Sequence, residues 1–168
     1  MGRTSAAQGL LDNVLDIATQ ASNRKTSIPL FLSMIPALKA MNSADVIPQI
    51  YRLAINEVDR EFANRVSAVD VYEWRMRDSE IEQIVRSQLE NGFVDDAVES
   101  ARRLNEPVLR DRLLRTAAYI YLYYGNVERA EWEARRMTVK EIQENVIQNI
   151  QIIKRRAEVR FRQPESEI

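Results

Sequence analysis

The segment GFVDDAVESARRL, from Gly92 to Leu104, decides the fold because it returns 33 residues later as GNVERAEWEARRM, from Gly125 to Met137. Each copy opens with a glycine, which ends the preceding helix in a left-handed conformation, and carries two small alanines. These alanines let the short helix that follows lie close to its partner. Because a helix–glycine–helix unit has two apolar faces and cannot bury both alone, the repeat predicts neighbouring units that stack.

Helical periodicity covers nearly the whole chain, since apolar residues recur at spacings of three and four and good helix formers dominate. The predicted fold class is therefore all-α, an array of antiparallel helix pairs. We expect Pro36 to kink or break its helix. Tyr72 should face inward on a helix that ends near Trp74, and Thr138 should cap the last helix in a capping box with Glu141. The expected helices cover approximately residues 5–21, 27–41, 47–58, 60–74, 78–91, 94–104, 107–124, 127–137 and 139–161.

The repeat resembles the tetratricopeptide family over about residues 78–161. Several family positions are matched in the copies that begin at Asp78 and Asp111. The matching residues are Gly92 and Ala97 in the first copy and Ala118, Tyr121, Gly125 and Ala130 in the second. Val85 and Gln88 of the first copy depart from the family pattern. The resemblance implies a short right-handed superhelix of antiparallel helix pairs; related helical-pair solenoids and a plain helical bundle are the alternatives.

The chain divides by pattern and by charge. Residues 1–43 are predicted to form an N-terminal helix pair, residues 44–161 the tetratricopeptide-like repeats with a long terminal helix, and residues 162–168 a disordered tail. The net charge is −7 over residues 44–99 and +6 over residues 100–163, although the whole chain carries only −1. Such a chain presents acidic and basic faces to different partners.

A binding groove is implied by the resemblance, because the first helix of each repeat in that family lines a concave surface. The residues at the groove-facing positions are Glu82, Arg86, Arg112, Arg115, Tyr119, Tyr123, Asn145, Gln148 and Asn149. Arginine forks beside asparagine amides hold carboxylates or extended peptide backbone, and tyrosines add contact area. We therefore expect a protein-interaction adaptor or scaffold that binds an acidic peptide segment of a partner protein.

The last helix carries more apolar residues than one buried face requires. These residues are Val139, Ile142, Val146, Ile147, Ile150, Ile152 and Ile153. The terminal helix of a stacked array should be polar on its outer side, since no further repeat covers it. The excess predicts either a partner helix or self-association as a homodimer.

The composition argues against an enzyme. The chain contains no cysteine and no histidine, which excludes Cys-His and Ser-His-Asp nucleophilic sites and His-ligated metal centres. It also lacks a P-loop, a GxSxG motif and a GxGxxG motif. We expect no catalytic activity, no cofactor and no metal.

A basic cluster near the C-terminus supports an alternative function, that of a small nucleic-acid-associated helical protein. Its residues are Lys154, Arg155, Arg156, Arg160 and Arg162, with Phe161 among them. An isoelectric point near 5.7 argues against strong binding to a phosphate backbone. The most apolar stretch, Ile28 to Met41, is too short to cross a bilayer. We expect no membrane span and a cytoplasmic location.

Overall fold

The structure is a computed structural model that describes residues 27–63 and 71–162, together with residues 9, 12, 13 and 16. Seven α-helices and one short 3₁₀ helix occupy these residues, which confirms the all-α prediction. They are α1 (Ser27–Ala40), the 3₁₀ helix (Ala44–Val46), α2 (Ile47–Ala63), α3 (Val71–Glu90), α4 (Val94–Ala101), α5 (Pro107–Tyr123), α6 (Val127–Arg135) and α7 (Lys140–Arg162). Most of the predicted helix over residues 5–21 and the tail after residue 162 lie outside the described residues; residues 9, 12, 13 and 16 are helical.

The helices pack mostly against their neighbours in sequence. The chain forms two compact units, Met1–Asn105 and Glu106–Ile168. In the first unit α1 packs on α2, α2 on α3 and α3 on α4; in the second, α5 packs on α6, and α7 packs on both. None of the helices in the described ranges combines the length and the apolar character needed to cross a bilayer.

The two glycines of the repeat end helices as predicted. Gly92 has a φ of +84° and Gly125 a φ of +78°. After the first of these, the N–H of Phe93 donates to the carbonyl of Gln88 at 2.9 Å, the long-range bond of a Schellman turn. The second copy has the same bond at 2.8 Å. Asn42, with a φ of +54°, ends α1 in the same way, because asparagine also tolerates the left-handed region.

The small residues of the repeat lie in the core. Ala97, Ala101, Ala130 and Ala134 are all buried, as the close approach of the short helices requires. In the first unit the core is completed by branched and aromatic side chains of α1, α2 and α3. These include Phe31, Ile35, Leu38, Ile47, Ile50, Tyr51, Val58, Phe62, Ile81 and Ile84. The predicted apolar residues of the repeat therefore lie on the faces that pack.

Pro36 does not break its helix. α1 runs without interruption from Ser27 to Ala40, although the proline ring removes one backbone donor. The helix is stabilised by packing of the side chains on either side of the proline, because Phe31, Ile35 and Leu38 are all buried. Tertiary packing therefore outweighs the local penalty that the sequence indicated.

The predicted helix boundaries near residues 58–60 and 74–78 are wrong. α2 continues past Val58 as far as Ala63, and α3 runs from Val71 through Asp78, where the sequence predicts a new helix. The middle of the predicted helix over residues 60–74 lies outside the described residues. Tyr72 is 69% exposed instead of facing inward. Arg77 lies between the expected end of one helix and the expected start of the next, and it donates to the backbone carbonyl of Arg103 at 2.9 Å.

The predicted capping box of the last helix is also not formed by Thr138. The backbone N–H groups of Thr138 and Val139 both donate to Oδ2 of the buried Asp111 at 2.6 Å. The Thr138 hydroxyl accepts from Arg110 at 2.6 Å and donates to Asp111 at 3.2 Å. A carboxylate from α5 thus takes the place of the local cap, because it supplies a stronger, charged acceptor.

Candidate functional site

A cleft of about 340 Å³ opens between α5 and α7 in the second unit. Its lining combines aliphatic side chains with two arginines, one glutamate and one asparagine: Val108, Arg112, Arg115, Val139, Glu141, Ile142 and Asn145. Pro107 starts α5, and the carboxylate of Glu106 caps it by accepting the N–H of Val108 at 3.1 Å. Helical spacing then places the α5 residues of the cleft on one face.

Two positive charges of this cleft are available. The Arg112 side chain is exposed and that of Arg115 is half-buried. Neither guanidinium forms a hydrogen bond or ion pair with a described residue of its unit, whereas nearby arginines such as Arg110 and Arg135 do. Glu141 is the only acid in the lining, so the cleft carries a net positive charge. An incoming anion would meet guanidinium groups that hold no other partner.

Three predicted groove residues form a polar cluster beside this cleft. The Asn149 side-chain amide donates to the Tyr119 hydroxyl at 2.8 Å, and that hydroxyl donates to Oδ1 of Asn145 at 3.4 Å. The same Asn149 amide reaches Asn145 Oδ1 at 3.3 Å. The Nδ2 group of Asn145 makes no hydrogen bond within the described part of the unit, so it is free to donate to a ligand in the cleft.

The contacts along the two helices show that α5 and α7 run in the same direction. Residues from the first turns of both helices line the cleft, and Tyr119, one turn after Arg115, meets Asn149, one turn after Asn145. α6, which links them, packs on both. α5 and α7 therefore lie side by side in the second unit and run parallel.

Two more predicted groove residues lie near this surface but outside the cleft. Gln148 is exposed on α7 and lines a shallow surface depression together with Asn145. Tyr123 lies one turn beyond Tyr119 on α5, is 84% exposed, and contacts the ring of Tyr124 edge-on at 5.3 Å between centroids. The second unit thus brings most of the predicted groove residues onto one face.

Glu82 and Arg86 belong to the first unit and satisfy each other. The Arg86 guanidinium donates to Oε1 of Glu82 through Nε at 2.8 Å and through Nη2 at 2.5 Å. Both residues lie on α3, four positions apart, which is the ordinary geometry of a helix-surface ion pair. This pair has a structural explanation and does not belong to the α5–α7 cleft.

The apolar residues predicted for self-association divide into three groups. Val146 and Ile150 are fully buried and pack α7 onto its own unit, while Val139, Ile142 and Ile147 are half-buried. Ile152 and Ile153 are 39% and 40% exposed. Only this last pair remains as an uncovered apolar patch on α7 within the described residues.

The basic cluster near the C-terminus is partly neutralised. Lys154 donates to the Glu131 carboxylate, which also accepts from Arg135 at 2.7 Å. The hydrogen bonds from Arg135 and Lys154 lower the pKa of Glu131 to about 2. Arg155 and Arg156 are exposed, and the side chains of the remaining cluster residues lie outside the described part of the chain. Lys154 is therefore already engaged within the protein.

Val108 and Glu141 are cleft residues that the sequence interpretation missed. Val108 lies one turn before Arg112 on the same face of α5, so helical spacing alone would have included it. The chain matches no protein-family model, and neither a curated protein nor a solved structure is similar enough to count as a match. The function must therefore be argued from the chemistry of these surfaces.

Proposed function

We propose that the protein is an interaction adaptor or scaffold subunit, without catalytic activity, that binds a peptide segment of a partner protein at the α5–α7 cleft. The observation that carries this proposal is a pair of guanidinium groups, Arg112 and Arg115, that have no partner among the described residues of their unit and lie beside aliphatic side chains in one opening. A cleft with both features fits a ligand that is partly anionic and partly apolar.

The chemistry of the cleft defines the peptide. A carboxylate side chain pairs with the arginine forks, and the Asn145 amide is placed to donate to a backbone carbonyl. Val108, Val139 and Ile142 offer an apolar wall to an aliphatic neighbour of that acid. A volume of about 340 Å³ suits one or two side chains, so the remaining affinity comes from the surrounding face of α5 and α7.

We also propose that the helix pairs stack in a short right-handed superhelix, as they do in the tetratricopeptide family. Support comes from the repeated glycine turns, the buried alanines and the parallel α5 and α7 of the second unit. In that family the first helices of successive repeats line the ligand groove, which is the role assigned here to α5 and α7. The absence of cysteine from the chain fits a reducing compartment such as the cytoplasm.

A displayed library of random peptides tests the proposal. Selection with the wild-type chain should enrich sequences that place Asp or Glu next to an aliphatic residue. The double variant Arg112→Glu, Arg115→Glu should lose these sequences. The matched control is Arg155→Glu, Arg156→Glu, which makes the same charge change at exposed positions of α7 and should retain them. Enrichment of the same peptides by both double variants, or no enrichment at all, would refute the assigned groove.

Self-association is the second candidate function, and the exposed Ile152 and Ile153 favour it. Two adjacent half-exposed isoleucines on a terminal helix supply an apolar contact for a second copy of the chain. Light scattering of the free protein separates this candidate from a peptide-binding monomer. A dimer mass that falls to the monomer mass in Ile152→Lys, Ile153→Lys would establish it, and a monomer mass for the wild type would remove it.

A further inference from the structure

The first unit contains a second cleft, of about 350 Å³, that the proposed peptide site does not use. It lies among α2, α3 and α4, and its walls include the buried Tyr51 and Ile55. The residues that matter for its chemistry are Gln88 of α3 and Asp96 of α4. Both supply oxygen atoms that accept hydrogen bonds.

Gln88 is an unusual residue for its place. Its side chain is 2% exposed, yet its Oε1 atom accepts no hydrogen bond from any described residue. One repeat later the same position is occupied by Tyr121, and the sequence pattern already marked Gln88 as a departure. A buried amide oxygen without a donor lowers stability. A ligand that donates a hydrogen bond to this oxygen would remove the loss of stability and would explain why a glutamine is buried here.

Asp96 provides a second free acceptor in the same cleft. Its carboxylate is half-buried in the first turn of α4 and forms no hydrogen bond or ion pair with a described residue. Two other polar groups of the lining, the Glu99 carboxylate and the Tyr51 hydroxyl, are already engaged. Glu99 accepts from Arg102 at 2.6 Å, and the Tyr51 hydroxyl is bonded to Ser87 at 3.0 Å and accepts from Asn91 at 3.2 Å.

We propose that this cleft binds a cationic side chain, the guanidinium of an arginine or the ammonium of a lysine, carried by a partner peptide. The cation donates to Oε1 of Gln88 and to the carboxylate of Asp96, while its aliphatic stem packs on the ring of Tyr51 and on Ile55. Arginine fits better than lysine, because its fork presents five donors to two separated acceptors.

The surrounding charges agree with a cationic ligand. Residues 44–99, which contain Gln88 and Asp96, carry a net charge of −7. Arg103 at the edge of the cleft is paired with Asp59 at 2.6 Å, a carboxylate that it shares with Arg77. Arg52 is exposed at the rim, where solvent and salt screen its repulsion. The site is therefore distinct in charge from the α5–α7 cleft and independent of it.

An NMR titration of the full ¹⁵N-labelled chain with N-acetyl-arginine methylamide tests the inference. We expect saturable shifts at the side-chain amide of Gln88 and at the backbone amides of Tyr51 and Asp96. The citrulline analogue, which has the same shape without the charge, should bind about tenfold more weakly or not at all. N-acetyl-aspartate methylamide should leave these resonances unchanged.

Variants separate the role of Gln88 from a general effect on the fold. Gln88→Leu keeps the volume and removes the acceptor, so it should weaken the arginine probe about tenfold while unfolding at a higher temperature. Gln83→Leu, on the exposed side of the same helix, is the matched control and should bind as the wild type does. If Gln88→Leu does not fold, Asp96→Asn takes its place and should weaken the probe by a similar factor.

The inference is overturned by any of three results. The first is a citrulline analogue that binds as tightly as the arginine probe. The second is a Gln88→Leu variant that binds the arginine probe as tightly as the wild type does. The third is an absence of saturable shifts at these residues, which would mean that solvent alone satisfies the Gln88 oxygen. None of these results bears on the α5–α7 cleft, whose test uses different residues and acidic peptides.

Discussion

Asp78 and Asp111 make the same hydrogen bond in two successive repeats. The buried carboxylate of Asp78 accepts the backbone N–H of Asn105 at 2.9 Å, and that of Asp111 accepts the N–H of Thr138 at 2.6 Å; each bond spans 27 residues. Each aspartate is the first residue of its repeat, and its hydrogen bond fixes the turn that follows the short helix of that repeat. The repeat is therefore a repeat of tertiary contacts as well as of sequence.

Asp111→Ala is predicted to destabilise the second unit by about 3 kcal/mol. The substitution removes the carboxylate that accepts hydrogen bonds from the N–H groups of Thr138 and Val139. These two backbone donors, just before α7, would then lose their acceptor. Urea unfolding followed by circular dichroism measures the loss. Glu128→Ala, an exposed acid in the first turn of α6, is the control and should change little. Equal losses for the two variants would mean that the buried bonds add nothing.

Gly125→Ala is predicted to cost about 1 kcal/mol, although space is available for the added methyl group. No atom lies within 4 Å of the position that a Cβ would take, so the cost arises from the φ of +78° alone. Gly125→Asn should cost less, because Asn42 adopts a φ of +54° at the end of α1. Thermal unfolding of both variants checks the order. A clash-free site that accepted alanine at no cost would contradict the strain argument.

The Glu131 ion pairs are predicted to make stability depend on pH in the acid range. The pKa of Glu131 is lowered from 4.5 to about 2, so the folded state favours the charged carboxylate. The stabilisation is complete above pH 4.5 and is lost as the pH falls towards about 2. Because the pair is solvent-exposed, we expect only about 0.5 kcal/mol.

Glu131→Gln isolates this contribution. The variant should be slightly less stable than the wild type at neutral pH, and the difference should disappear as the pH approaches about 2. Urea unfolding at a series of pH values measures it, and added salt should reduce it. A difference that stayed constant with pH would assign the effect to packing of the side chain instead of its charge.

The sequence predicted those features that depend on local spacing. The roles of Gly92 and of the repeat's alanines could be predicted because a left-handed turn requires glycine and closely packed helices require small residues. The tetratricopeptide resemblance implied groove-facing positions for Arg112 and Asn145, and both residues line one cleft. The role of Asp111 was not readable, because its partners lie 27 and 28 residues away and no local pattern marks them.

The errors have a common physical origin. The sequence predicts that a helix ends near Trp74, and Thr138 followed three residues later by Glu141 predicts a local cap. In both cases a partner from another segment forms the hydrogen bond. The Arg77 guanidinium donates to Asp59 and to the Arg103 carbonyl, and the N–H of Val139 donates to Asp111. Sequence spacing reports only local alternatives, so these long-range hydrogen bonds override it.

Tyr119→Phe is predicted to weaken both the second unit and its binding of acidic peptides. The hydroxyl of Tyr119 links Asn149 and Asn145, and its loss removes two hydrogen bonds between α5 and α7. We expect a loss of about 1 kcal/mol in unfolding free energy. Peptide affinity should fall about threefold, because the Asn145 side chain, which lines the cleft with the two arginines, then keeps only its hydrogen bond from Asn149 and is held less firmly.

Tyr123→Phe is the matched control for this prediction. It makes the same chemical change one turn further along α5, where the side chain is 84% exposed and its hydroxyl bonds to no described residue. Calorimetric titration with a peptide selected by the wild type, beside urea unfolding, compares the two variants. If only stability falls in Tyr119→Phe, the cluster holds the helices together without positioning Asn145. If the two variants behave alike, the hydroxyl of Tyr119 has neither role.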